Sequence, residues 1–158
     1  MNAWRFILLS LFLYNSACFA QKKIPVEVAH VGEDSVGYIV AQELRDAIRG
    51  SQGILVMPEP QEAIAHSYGL WLTVELGRPR IKLQLVTPKA SSPGRDTPIA
   101  VNIVYDSADM PLGGAFIRSV VEVCGEENAR SCASRILETA NRSVEWLRQN
   151  WPSVWKTL

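Results

Sequence analysis

The tightest limit on how this chain can fold comes from the two cysteines of Val123-Cys124-Gly125-Glu126-Glu127-Asn128-Ala129-Arg130-Ser131-Cys132. Eight steps along one continuous helix amount to about 12 Å of rise. A disulfide needs Cα atoms roughly 4.4–6.8 Å apart. If Cys124 and Cys132 pair, the chain must turn between them, and Gly125 is well placed to allow it. A strand ending at Cys124, a turn through Gly125 and a helix carrying Cys132 on its second turn meet that demand. A metal site would need ligands the sequence does not offer, and a redox pair more typically has C-x-x-C spacing. The expectation is a structural disulfide joining a sheet to a helix.

The amino terminus supplies the compartment in which such a bond forms. Residues 1–20, MNAWRFILLSLFLYNSACFA, hold one basic residue, Arg5, then an apolar run from Phe6 to Tyr14, then small residues up to Ala20. That is the layout of a secretory signal peptide. The run is well short of the roughly 20 residues that cross a bilayer as a helix. The mature chain is expected to begin near Gln21, to lack a transmembrane segment, and to be periplasmic or extracellular. Lipidation at Cys18 is the other reading of the leader, although Asn15 stands where that signal has Leu or a similar residue. Without Cys18, two of the three cysteines remain, an even number in an oxidising compartment.

Residues 21–158 are enough for one domain with a core, and not for two. Arg5 is the only charge in the leader, so the mature net charge is −1. A chain this balanced has no electrostatic pull toward nucleic acid.

Ile24, Val26 and Val28 alternate in a first expected strand, residues 23–31. Asp34 or Ser35 then caps a helix whose apolar stripe is Ile39, Val40, Leu44, Ala47 and Ile48, stopped by Gly50. Further strands are expected over 54–57, 68–76, 81–88 and 98–105, with 68–76 and 81–88 forming a hairpin. Residues 115–124 admit a strand or a short helix; their β-branched content and flanking glycines favour the strand. From Glu126 to Trp151 the pattern is helical, with Ile136, Leu137, Ala140, Val144, Leu147 and Trp151 on one stripe and Pro152 ending it. The fold class is α+β: a single domain, a mostly antiparallel sheet of about five to six strands, and two helices packed on one face.

Chemistry-bearing residues are few. His30 and His66 are the two histidines, and neither has a second ligand at metal spacing. Ser35 lies in no G-x-S-x-G elbow and is better employed as a cap. Glu33 and Asp34 would repel an anion at the first helix start, so no phosphate cradle is expected. Glu126 and Glu127 suit the positive end of the last helix. Asn141-Arg142-Ser143 matches a glycosylation acceptor but falls within that helix. No catalytic, cofactor-binding or metal-ligating residue is assigned, and no cofactor is expected. Trp146 and Trp155 lie off the core stripe; as aromatics they suit a partner surface or a fold back over the sheet edge.

The order of strand, helix ending in RDAIRG (45–50), short strand ILVMP and long strand YGLWLTVELG resembles the TolB amino-terminal domain and LpoB-type envelope domains. The likeness spans residues 24–106 and rests on element order. It implies a non-catalytic partner in an envelope assembly and assigns no site residue. Here His66-Ser67 stand where that group has an acidic residue, and the cysteine pair is an addition. The expected function is an exported, non-catalytic protein that binds another protein or an envelope component. The alternative is an exported inhibitor of a lysozyme or protease that presents residues 125–131, with Glu126, Glu127 and Arg130 as its contacts.

Overall fold

A computed structural model of the protein describes residues 23–57, 79–88, 96–107 and 114–157. The expected signal peptide at 1–20, the strand expected at 68–76 and His66 lie outside the described residues.

Strand β1 (Ile24–Val31) leads into helix α1 (Ser35–Gly50), followed by β2 (Leu55–Val56), β3 (Arg80–Val86), β4 (Thr97–Asp106) and β5 (Ala115–Cys124). A short 3-10 turn, Glu126–Asn128, then enters helix α2 (Ala129–Asn150), and α3 (Pro152–Thr157) follows. Residues 115–124 are a strand, as their β-branched content favoured.

The five strands form one sheet in the order β2-β1-β3-β4-β5. Long β3, β4 and β5 run antiparallel, with Leu83 opposite Ile103 and Val101 opposite Val120. β1 runs parallel to both β2 and β3, so the sheet is mixed. The physical reason at β1–β2 is the crossover: α1 carries the chain back along the sheet before β2 enters, and parallel neighbours require such a return.

Strand alternation sorts side chains onto two faces. Ile24, Val26 and Val28 of β1, Ile81, Leu83 and Leu85 of β3, and Ile99, Val101, Ile103 and Tyr105 of β4 are all buried on one of them. Both long helices pack there. α1 contributes Val36, Val40, Ala41, Leu44 and Ile48, and α2 contributes Cys132, Ala133, Ile136, Ala140, Val144 and Leu147. Each buried Leu, Ile or Val stabilises the fold by about 1.5–3 kcal/mol before entropy is counted.

The helix ends follow from the sequence. Asp34 is the N-cap of α1, its Oδ1 accepting from the Gly37 N–H at 2.7 Å. At the far end, the Ser51 N–H donates to the Ile48 carbonyl at 3.2 Å. α2 stops at Asn150, and Pro152 opens α3, the first-turn position where its missing N–H costs nothing. Trp151 departs from its expected place on the core stripe, being 39% exposed. Its φ of −129° and ψ of 64° are not helical, so its side chain leaves the phase that buries Leu147.

Candidate functional site

The cysteine joint is built as its spacing demands. Cys124 ends β5, Cys132 sits in the first turn of α2, and their Cα atoms are 6.0 Å apart in a disulfide. Both residues are fully buried. Gly125 does not act through conformational freedom, because its φ of −117° is ordinary extended backbone. A Cβ there would lie 2.7 Å from Asp96 Oδ1, so what it provides is room. The turn is tied by Asn128 Oδ1, which accepts from the Gly125 N–H at 2.9 Å.

The charged residues of this loop reach sideways to α1. Ser35 Oγ donates to Glu126 Oε1 at 2.8 Å, and Arg130 Nε donates to Glu43 Oε2 at 3.1 Å. Glu127 is exposed. Two of the three side chains expected to contact a partner thus help hold the two helices together. Ser35, weighed as a nucleophile, is used in this link.

At the other end of α2 is an aromatic cluster. Trp146 is 43% exposed, and its ring centroid is 6.0 Å from that of Trp151 at an interplanar angle of 58°. That separation lies within the range of favourable aromatic pairing. Trp155 folds back: it is half-buried against the core with Val154, and its N–H donates to the Trp151 carbonyl at 3.0 Å. Trp146 is thus exposed, and Trp155 is packed against the core.

His30 belongs to a polar cluster at the C-terminal ends of the parallel strands β1 and β3. Thr87 Oγ1 donates to Asp34 Oδ2. The Thr87 oxygen can then accept from His30 Nε2, 3.1 Å away, and that nitrogen is 3.3 Å from Asp34 Oδ2. Burial alone would raise the Asp34 pKa, but the Thr87 hydroxyl, the Gly37 N–H and the nearby His30 together hold it below the usual carboxylate value. The cluster is closely covered. A Cβ on Gly37 would come within 2.7 Å of Thr87 Cγ2 and closer still to His30 Nε2. Among the described residues no group of three or more His, Cys, Asp or Glu is placed to hold a metal ion.

The face of the sheet opposite the described helices, the open face among the described elements, divides in two. Over β1, β3 and β4 it is ionic: Asp106 accepts from Arg80 Nη2 at 2.9 Å and Lys82 Nζ at 2.8 Å, and Arg80 Nε is 3.5 Å from Glu27. Burial works to raise the Asp106 pKa, and the two cations outweigh it. Over β5 the face is mostly apolar: Phe116, Val121 and Val123 are 62%, 66% and 56% exposed, with Ser119 among them. Sequence reasoning missed this strip, because a β-branched run with few polar positions does not say which side is covered. It also missed Thr87, which is 53 residues from Asp34 with no local pattern joining them. Asn141 is half-buried in α2 and Ser143 is buried, its hydroxyl donating to the Thr139 carbonyl at 2.8 Å, so this acceptor motif is occupied in packing.

No known protein family matches the chain, and no curated protein matches it. Similar solved structures include the PelC dodecamer from Paraburkholderia phytofirmans, with a TM-score of 0.40 and 11% identity over 76% of this chain and 85% of that one. Another is the hypothetical protein CT253 from Chlamydia trachomatis, with a TM-score of 0.43 and 8% identity over 78% of this chain and 96% of that one. Likeness at this level carries no functional inference.

Proposed function

We propose that this is an exported, periplasmic or extracellular, non-catalytic protein that binds another protein or an envelope component through the aromatic end of α2. The observation that carries the reading is the Trp146–Trp151 pair, two large rings in mutual contact and both substantially exposed. Exposed tryptophans are costly in water and are the residue type most concentrated at binding hot spots. The buried disulfide supports export, since such bonds persist in oxidising compartments. The inhibitor alternative has no comparable aromatic anchor: its loop offers Glu126, Glu127 and Arg130, all exposed, with Glu126 and Arg130 making surface links to α1.

Crosslinking in cells with the full-length gene tests the proposal. Trp146→Ala and Trp151→Ala together should abolish the principal crosslinked product while the protein is still secreted and keeps the native circular dichroism spectrum. A product that survives the double substitution moves the contact elsewhere; the absence of any product across growth conditions overturns the binding reading.

A further inference from the structure

Among the described strands β5 is the last in the sheet order, and it is ten residues long, whereas β2 at the opposite end has two. Edge strands of this length usually carry devices against further pairing: proline, a bulge, an inward charge or a cover. β5 has one irregularity, opposite Ile103 and Val104 near its start. Beyond it, residues 118–124 run in regular register, with Val121 and Val123 exposed on the open face. The run contains no proline.

Its charges are arranged for a partner of a particular kind. On the face that bears the helices, β5 presents Arg118, Val120 and Glu122 in succession, opposite Ile103, Val101 and Ile99 of β4. Arg118 is exposed and makes no ion pair with a described residue; Glu122 is half-buried and accepts from Arg135 Nε at 3.0 Å. When two copies of one strand pair antiparallel about a twofold axis, residues that face each other must lie on the same side of the pleat, so the axis passes through a residue. An axis through Ser119 sets Arg118 against Val120. An axis through Val121 sets Arg118 against Cys124 and Glu122 against Val120. An axis through Val120 alone sets Arg118 of each copy against Glu122 of the other, with Val120 facing itself and Ser119 facing Val121.

We propose that β5 pairs antiparallel with β5 of a second copy of this chain, about a twofold axis at Val120, joining the described strands of both copies into one continuous sheet. Two Arg118–Glu122 pairs fix the register, and the Phe116, Val121 and Val123 rows of both copies join into one apolar strip on the open face. The proposal is independent of the tryptophan surface, which lies at the end of α2.

The test uses the purified, oxidised protein and its self-association by sedimentation. Concentration-dependent dimerisation is expected for the native sequence. Arg118→Glu places like charges opposite one another at both pairs, as does Glu122→Arg, and each single variant should dimerise roughly tenfold or more weakly. Mixing the two single variants restores both opposite-charge pairs and should give heterodimers with close to native affinity; the double variant should dimerise with itself. Circular dichroism matching the native protein confirms that each variant is folded. A native protein that stays monomeric to high concentration overturns the proposal. So does a dimer indifferent to the charge reversals, or one not restored by mixing, which would assign the strand edge to another protein's segment or leave it unused.

Discussion

Asp34 does three jobs with two oxygens. One caps α1 through the Gly37 N–H, and the other takes the Thr87 hydroxyl and sits beside His30. Its depressed pKa is therefore a statement about stability. A carboxylate held below its unfolded value of about 3.8 contributes fully above that pH, and the contribution is lost as pH falls through the folded value. Asp106, depressed by Lys82 and Arg80, acts in the same direction. Thermal melts should show a falling midpoint below about pH 4, and Asp34→Asn should flatten that acid limb while lowering stability at neutral pH. The glycine opposite makes a second prediction. Gly37→Ala drives a methyl group into the His30 ring and Thr87, and should cost about 1–3 kcal/mol in urea unfolding, as overpacking does. Gly50→Ala, with open space around it, is the matched control and should be neutral or stabilising by up to about 1 kcal/mol. Asp34 was legible as a cap because capping is a local rule. Its tie to Thr87 was not, since that depends on β1 and β3 being neighbours.

At the scale of elements, the joint between β5 and α2 is the part best read beforehand. A bond between cysteines at this spacing excluded a continuous helix, and the chain does turn, though Gly125 serves by making room for Asp96. Closing so short a loop should contribute about 2–3 kcal/mol. Because Cys124 and Cys132 are both fully buried in the bond, neither should titrate as a thiol in the folded protein without reductant. Denaturation with reductant should release two from this pair, and Cys124→Ala/Cys132→Ala should unfold at lower urea with its sheet intact. A native protein with two reactive thiols would contradict the bond. Trp151 shows the limit of such reading. Helical periodicity extrapolates a stripe only while the backbone stays helical, and here the backbone departs one residue before Pro152.

Across the whole molecule the controlling feature is a sheet covered by long helices on one face. That asymmetry predicts opposite outcomes for two aliphatic residues in neighbouring parts of it. Leu83→Ala removes a fully buried side chain from a central strand and should cost about 2–5 kcal/mol. Val121→Ala, at 66% exposure, should change the stability of the monomer by less than about 0.5 kcal/mol. Chemical denaturation of both variants checks the assignment of faces. The sequence by itself determined the fold class, the position of α1 and the helical run of α2, and it favoured a strand at β5 and a bond between the cysteines. Each of these rests on periodicity, capping or spacing within a short stretch of chain. Only the tertiary structure decided that β1 runs parallel to β3, that Thr87 meets His30 and Asp34, that Glu126 and Arg130 turn to α1, and that one side of β5 is left apolar and open. Those outcomes depend on which distant segments become neighbours, and that is set by how the whole sheet buries its apolar face, not by any local pattern.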